Sequence, residues 1–166
     1  MLAAFDTYYT GTQAKTVCVL FEQWQDAAPT QVIADVMDDV PAYEPGAFYK
    51  RELPCIQRIL KQIQIDTLQS IVIDGFVILD DAGKLGLGGH LYEHLDRRVP
   101  VIGVAKTNFA TNNVNKQEVL RGESVRPLYI TALGISLEEA AAHIHAMHGA
   151  YRIPTVLKHL DTLTKA

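Results

Sequence analysis

The chain has 166 residues, of which 48% are hydrophobic, so it can bury one sizeable core but has no room for a second full domain. Its net charge of −4 at pH 7 argues against a protein that holds nucleic acid mainly by neutralising phosphates over a wide basic surface. No apolar run is long enough to span a membrane, and the opening MLAAFD is too short and too acidic for a secretory signal. We therefore predict a single domain over residues 1–166 with no membrane partner.

The first part of the chain predicts three strands, at residues 2–9, 14–24 and 31–38, all rich in Val, Ile, Leu and aromatic residues. A short turn at residues 10–12 contains glycine and predicts that the first two strands form a hairpin. The three strands together predict an antiparallel unit.

The second part of the chain alternates helices and strands, which favours parallel crossover connections and an α/β fold. The helix at residues 52–64 has a helical stripe of apolar residues, and Ser136 and Pro154 are typical of helix starts. The predicted elements in order are a helix at 52–64, a strand at 70–74, a helix at 85–95, a strand at 100–105, a strand at 127–131, a helix at 137–147 and a last helix beginning at Pro154.

Three carboxylates are candidates for a common metal site. Asp6 closes the apolar run MLAAF, Asp74 closes the run SIVI, and Glu52 follows the loop PAYEPGAFYKR. A carboxylate at the end of a buried strand is held rigidly, and a cluster of like charges favours a divalent cation that neutralises it. The alternative, for each residue alone, is that Asp6 and Asp74 end strands while Glu52 offsets a helix dipole.

The block at residues 43–52, YEPGAFYKRE, is the most specific motif in the sequence. Together with AFDTYY, IVIDG, PVIGVAKT and AYRIP, in this order, it resembles the endonuclease V family. The resemblance implies a ribonuclease H-like fold, with a mixed central sheet, an antiparallel three-strand start and flanking helices. It also implies cleavage of DNA or RNA near inosine with Mg2+ or Mn2+, and so a role in DNA repair or RNA processing.

The resemblance assigns roles to particular residues, in two groups. The expected metal ligands are Asp6, Glu52 and Asp74, and the expected catalytic set adds Lys106 and Asp161 to them.

The expected substrate-binding residues lie in two motifs. Tyr43, Pro45 and Gly46 would form a wedge that separates bases, and Gly75 would allow a close approach to the target nucleotide.

The segment after Asp74 and Gly75 departs from the family pattern. Family members continue into a basic loop with glycine and histidine, whereas this chain reads FVILDDAGK at residues 76–84. Val77 stands where a second glycine is expected, so we expect its side chain to obstruct the usual bound pose of the substrate. We also expect Asp80 and Asp81 to repel an incoming phosphate backbone. The change predicts a weaker preference for inosine, and it leaves open a non-catalytic nucleic-acid-binding protein or a nuclease with another substrate.

Several further features carry expectations of their own. Cys18 and Cys55 lie in apolar segments and are predicted to be buried free thiols, which favours a cytoplasmic location. We expect the protein to be a monomer.

The glycine-rich run LGLGGH predicts a helix that packs closely on the sheet rather than a phosphate-binding loop. Residues 110–115 are the most plausible mobile loop, and Arg152 could add positive potential near the carboxylates.

Overall fold

A seven-stranded mixed sheet forms the centre of the computed structural model, which describes residues 1–42, 44–45, 47 and 49–166. The strand order is β3-β2-β1-β4-β5-β7-β6. The strands are β1 (Leu2–Thr10), β2 (Gln13–Phe21), β3 (Gln31–Met37), β4 (Ser70–Asp74), β5 (Val101–Ala105), β6 (Gln117–Val119) and β7 (Leu128–Leu133). No helix within these described residues is long and apolar enough to cross a membrane.

Helices cover both faces of the sheet and make three layers. They are α1 (Tyr49–Leu60), α2 (Leu87–His94), α3 (Leu137–Ala146) and α4 (Thr155–Thr164), with a short 3₁₀ helix at Ile65–Thr67. One buried cluster lies between the sheet and α3 and α4, and includes Ala4, Val72 and Leu160. The other lies between the sheet and α1 and α2, and includes Phe5 and Ile73. Alternate residues of each strand thus enter opposite cores.

The pairing confirms the predicted topology. β1, β2 and β3 pair antiparallel, while β1, β4 and β5 pair parallel. β7 runs antiparallel to β5, and β6 adds a further edge strand that the sequence pattern did not predict. β6 has only three residues, one of them buried, so it is too short to show an alternating pattern.

Two helix boundaries differ from those predicted. α1 begins at Tyr49 instead of Glu52, and the Tyr49 ring stacks on His90 with centroids 3.6 Å apart, which secures its first turn. α1 ends at Leu60 because, after the Lys61 amide, the amides of Gln62 and Ile63 donate to carbonyls three residues back and tighten the chain into a turn.

The entry to α2 confirms the predicted close packing of the glycine-rich run. A Cβ on Gly88 would lie 2.6 Å from Val77 Cγ2 and 3.2 Å from side-chain atoms of Ile73 and Val101. Only glycine therefore allows the first turn of α2 to sit this close to β4 and β5.

Candidate active site at the ends of the parallel strands

Asp6 and Asp74 occupy matching positions on two adjacent parallel strands. Phe5 of β1 pairs with Ile73 of β4, and the two aspartates are the next residues of their strands. Asp74 in turn pairs with Val104 of β5. The sheet register therefore brings the two carboxylates side by side where the parallel pairing of β1 with β4 ends, although β1 itself continues to Thr10 alongside β2. Ligands bind at this edge in open α/β sheets.

A cavity at this edge of the sheet collects four of the predicted site residues. Asp6, Asp74, Lys106 and Asp161 line it together, and Asp161 comes from α4. The remaining wall is apolar, being made of Phe5, Val72, Ile73, Val104, Ile153, Pro154, Leu157 and Leu160. Asp161 also pairs with Lys165, with Nζ 3.2 Å from Oδ1. The cavity thus presents three carboxyl groups and the Lys106 ammonium group within a largely apolar wall.

Burial and neighbouring carboxylates raise the pKa values of Asp6 and Asp74. Desolvation and then the negative charge of Asp74 raise the pKa of Asp6 to about 7, although its Oδ1 accepts a 2.8 Å hydrogen bond from the Thr7 amide. Asp74 as a residue is solvent-exposed, but desolvation of its carboxyl group raises its pKa. The positive charge of Lys106 lowers that pKa, and the negative charge of Asp161 raises it. A cation placed between the two carboxylates would relieve this repulsion.

Glu52 approaches the site from the opposite layer of the molecule. It lies on α1, is only 4% exposed, and has a pKa raised to about 8 by desolvation and then by Asp74 and Asp6. A hydrogen bond with Thr7, the residue after Asp6, lowers this pKa in part. Glu52 is therefore electrostatically coupled to the aspartates, although it does not line their cavity.

The predicted three-ligand metal set is not assembled as a compact group. Within residues 1–42, 44–45, 47 and 49–166, no three His, Cys, Asp or Glu side chains are placed to hold one metal ion. The aspartate pair by itself fits Mg2+, which proteins usually hold with one or two carboxylates while it keeps several waters and substrate phosphates.

Gly103 allows the segment after Asp74 to cross over β5. A Cβ on Gly103 would lie 2.5 Å from the Gly75 carbonyl oxygen and 2.7 Å from Thr131 Oγ1. The Val77 amide donates a 2.8 Å hydrogen bond to the same Thr131 hydroxyl. Gly75 has a φ of +119°, a conformation that favours glycine. This backbone path fixes the direction in which Asp74 leaves its strand.

The expectation that Val77 obstructs a substrate is wrong. Its side chain is fully buried and belongs to the core under α1 and α2. The valine therefore anchors the segment from within, and its methyl groups do not reach the substrate side.

Hydrogen bonds join residues 111–115 of the loop predicted to be mobile to the segment at residues 76–84, and its mobility stays a prediction. Asp81 accepts hydrogen bonds from the amides of Asn113 and Val114, and the buried Asn112 donates to the Ile78 carbonyl oxygen at 2.9 Å. Asn115 donates to the carbonyl oxygen of Asp80 at 2.9 Å. The two loops thus form one hydrogen-bonded unit, and these bonds occupy the Asp81 carboxylate that we expected to repel a phosphate.

Comparison with known proteins agrees with this geometry. The model of the family described as Endonuclease V matches residues 1–126. The chain belongs to the endonuclease V family. The match includes Asp6, Glu52, Asp74 and Lys106, whereas Asp161 lies beyond it.

Solved structures of endonuclease V share the fold, and the ribonuclease H-like architecture predicted from the sequence is confirmed. Human ENDOV superposes with a TM-score of 0.78 at 20% identity, covering 99% of this chain and 82% of its own. Ciona intestinalis endonuclease V, in complex with a 24mer DNA containing an inosine followed by a ribo-adenosine, gives 0.76 at 19% identity, covering 99% and 84%. Bacillus subtilis endonuclease V gives 0.69 at 16% identity, covering 99% and 78%. No curated protein sequence matches this member of the family.

The predicted wedge of this endonuclease V family member is only partly visible. Tyr43 and Gly46 lie outside the described residues, so their expected roles remain predictions. Pro45 lies in an exposed turn, and the Ala47 amide donates to the Glu44 carbonyl oxygen at 3.0 Å nearby.

Two arginines stabilise the backbone around the site. Arg152, expected to add positive potential, instead donates hydrogen bonds to the carbonyl oxygens of Lys106, Arg126 and Pro127. Arg121 was not predicted at all. It is 4% exposed and donates to the carbonyl oxygens of Met147, Gly149, Tyr151 and Arg152. An arginine beside a short strand gives no sequence signal of such a role, because the carbonyls come from a loop far along the chain.

Proposed function

We propose that the protein is a metal-dependent endonuclease that hydrolyses phosphodiester bonds in nucleic acid near inosine. The observation that carries the proposal is the placement of Asp6 and Asp74 just beyond the last parallel pair of β1 and β4, within one cavity that Lys106 also lines. Membership of a nuclease family supports the same reaction. The buried free thiols of Cys18 and Cys55 support a cytoplasmic location.

The carboxylates fit a divalent cation such as Mg2+ or Mn2+. Their pKa values are raised first by desolvation and then by neighbouring carboxylates, and hard cations prefer carboxylate oxygens. Asp6 and Asp74 would hold the ion directly, and Glu52 would act on it through water from the other layer. When bound, the cation supplies Lewis acidity that activates water and polarises the scissile phosphate.

Lys106 and Asp161, which both line the cavity, would complete the reaction. Lys106 follows the buried strand β5, so its ammonium group would stabilise the charge that develops on the phosphate. Asp161 faces the aspartates from α4 and would orient a water molecule or accept its proton.

The substrate is proposed from the family and from its members in complex with DNA. The Ciona intestinalis enzyme is bound to DNA containing an inosine, which supports a similar substrate here. Tyr43, Pro45 and Gly46 would separate the bases beside the target nucleotide, at a cost of a few kcal/mol. Gly75, with no side chain, would allow the backbone after Asp74 to approach that nucleotide.

A second candidate is a nucleic-acid-binding protein without catalytic activity, or a nuclease with another substrate. The changed sequence of the segment at residues 76–84 favours it, because that segment directly follows the Asp74 ligand. The paired carboxylates favour the enzyme.

Cleavage of matched oligonucleotides tests these proposals. Single-stranded and duplex DNA and RNA, each with inosine or with adenosine at one position, are incubated with Mg2+, with Mn2+ or with a chelator. We expect cutting with either ion, none with the chelator, and none by Asp74→Asn. Binding without cutting by the unmodified protein would favour the second candidate, and equal cutting of both substrates would exclude inosine selectivity.

A further inference from the structure

Two phenylalanines meet between the segments that leave the active-site strands. Phe76 comes two residues after Asp74, and Phe109 comes three residues after Lys106. Their rings are tilted by 55° with centroids 5.8 Å apart, and Phe109 is 40% exposed. An aromatic pair thus joins the segments that follow β4 and β5, two and three residues beyond the site residues Asp74 and Lys106.

The pair is not needed to join the two loops. Hydrogen bonds from Asn112, Asn113, Val114 and Asn115 already bind residues 111–115 to residues 78–81. Thr111 takes part in two more hydrogen bonds. Its carbonyl oxygen accepts from the Asp81 amide, and its hydroxyl donates to the Leu79 carbonyl oxygen. With the loops already joined by these hydrogen bonds, the partly exposed Phe109 ring keeps surface that can contact a ligand.

We propose that Phe76 and Phe109 form a stacking platform for one unpaired nucleobase of the strand that enters the active site. This inference rests on the proposed function, because a base reaches the platform only if its phosphate lies near Asp74 and Lys106. Every base has a π-face, so an aromatic surface binds bases with little regard to their edges.

The platform changes what this family member recognises. Phe76 and its neighbours stand where a basic loop is expected, so the chain offers ring faces in place of cationic groups. Lys106 supplies positive charge for the phosphate of the stacked nucleotide, three residues before Phe109. Binding would therefore depend on an unstacked base more than on inosine itself, which makes single strands the preferred ligand class.

Fluorescence of a single-stranded DNA oligonucleotide containing 2-aminopurine tests the platform directly. The titration uses the full chain in the presence of a chelator, so that binding is measured without cleavage. Phe109→Ala removes the ring, Phe109→Leu keeps apolar bulk without a ring, and Phe109→Trp enlarges the π-surface. Val125→Ala is the matched control, because Val125 is an exposed apolar residue at 89% exposure on another loop.

We expect Phe109→Ala and Phe109→Leu to weaken binding by roughly 5- to 100-fold and to abolish most of the fluorescence change that the unmodified protein produces, as loss of one base–aromatic stack would do. Phe109→Trp should keep both, and Val125→Ala should change neither. Wild-type affinity in Phe109→Leu, equal loss in Val125→Ala, or no binding by the unmodified protein would overturn the proposal. If ring-dependent binding occurs and no substrate is ever cut, the proposed function fails while the platform stands.

Discussion

The Arg152 guanidinium donates a hydrogen bond of 2.6 Å to the backbone carbonyl oxygen of Lys106. The same guanidinium also donates to the carbonyl oxygens of Arg126 and Pro127. This contact connects the end of β5 to the segment that precedes α4, and so joins the lysine and the Asp161 helix of the site. One side chain thereby fixes the relative positions of two groups that lie far apart in the sequence.

Replacing Arg152 with lysine tests this connection. Lysine keeps the charge but has no planar fork that reaches three carbonyls, so we expect the free energy of unfolding to fall by about 1–3 kcal/mol. Urea unfolding measures the loss, and Arg126→Lys, at an exposed neighbouring arginine, is the matched control. Equal stability of Arg152→Lys and the unmodified protein would show that charge, and not hydrogen-bond geometry, is what matters here.

Substitution of Gly103 by alanine should displace the segment that directs Asp74. The new Cβ would lie 2.5 Å from the Gly75 carbonyl oxygen, so the backbone must shift, at a cost of about 1–3 kcal/mol. We expect cleavage to be lost even at temperatures where the variant remains folded. Thr131→Val, which leaves the Val77 amide unpaired, should have a similar effect, whereas Thr131→Ser should not. Full activity of Gly103→Ala would disprove the need for this close crossing.

Replacement of Asp74 by asparagine separates metal binding from folding. The change removes one of two repelling charges, so the metal-free variant should be at least as stable as the unmodified protein. Millimolar Mn2+ should raise the melting temperature of the unmodified protein by about 3 °C or more and leave that of Asp74→Asn unchanged. Asp66→Asn, at a highly exposed carboxylate, should respond to Mn2+ as the unmodified protein does. A full Mn2+ response in Asp74→Asn would remove this residue from the ligand set.

Metal-free stability should depend on pH through Glu52 and Asp6. Their pKa values are raised to about 8 and about 7 in the folded protein, so the folded state binds more protons than the unfolded state above about pH 4. The stabilisation is complete at or below that pH and is lost as the pH rises toward 8. Relative to Glu52→Gln, the unmodified protein should lose at least about 2 kcal/mol between pH 5 and pH 9.

Urea unfolding in a chelator, at a series of pH values, measures this difference. Subtracting the Glu52→Gln profile removes the contribution of the other carboxylates. Parallel profiles for the two proteins would mean that Glu52 titrates normally and is not coupled to the site.

The sequence by itself determined six of the seven strands in the sheet and the two aspartates that follow buried apolar runs in β1 and β4. Each strand is a local run of apolar residues, and a polar residue that ends such a run is placed at the rim of the core by the alternation of side chains. The short strand β6 escaped prediction because three residues carry too little of that pattern.

Only the tertiary structure decided which side of the sheet each group occupies and which distant groups hold it there. Glu52 is placed in the layer opposite the aspartate cavity, although its motif suggested one compact ligand set. Asp81 accepts from amides 32 and 33 residues away, and Arg152 reaches a carbonyl 46 residues away. Backbone amides and carbonyls are present at nearly every residue, so the sequence does not mark which of them a side chain will meet. Packing of the layers makes that choice.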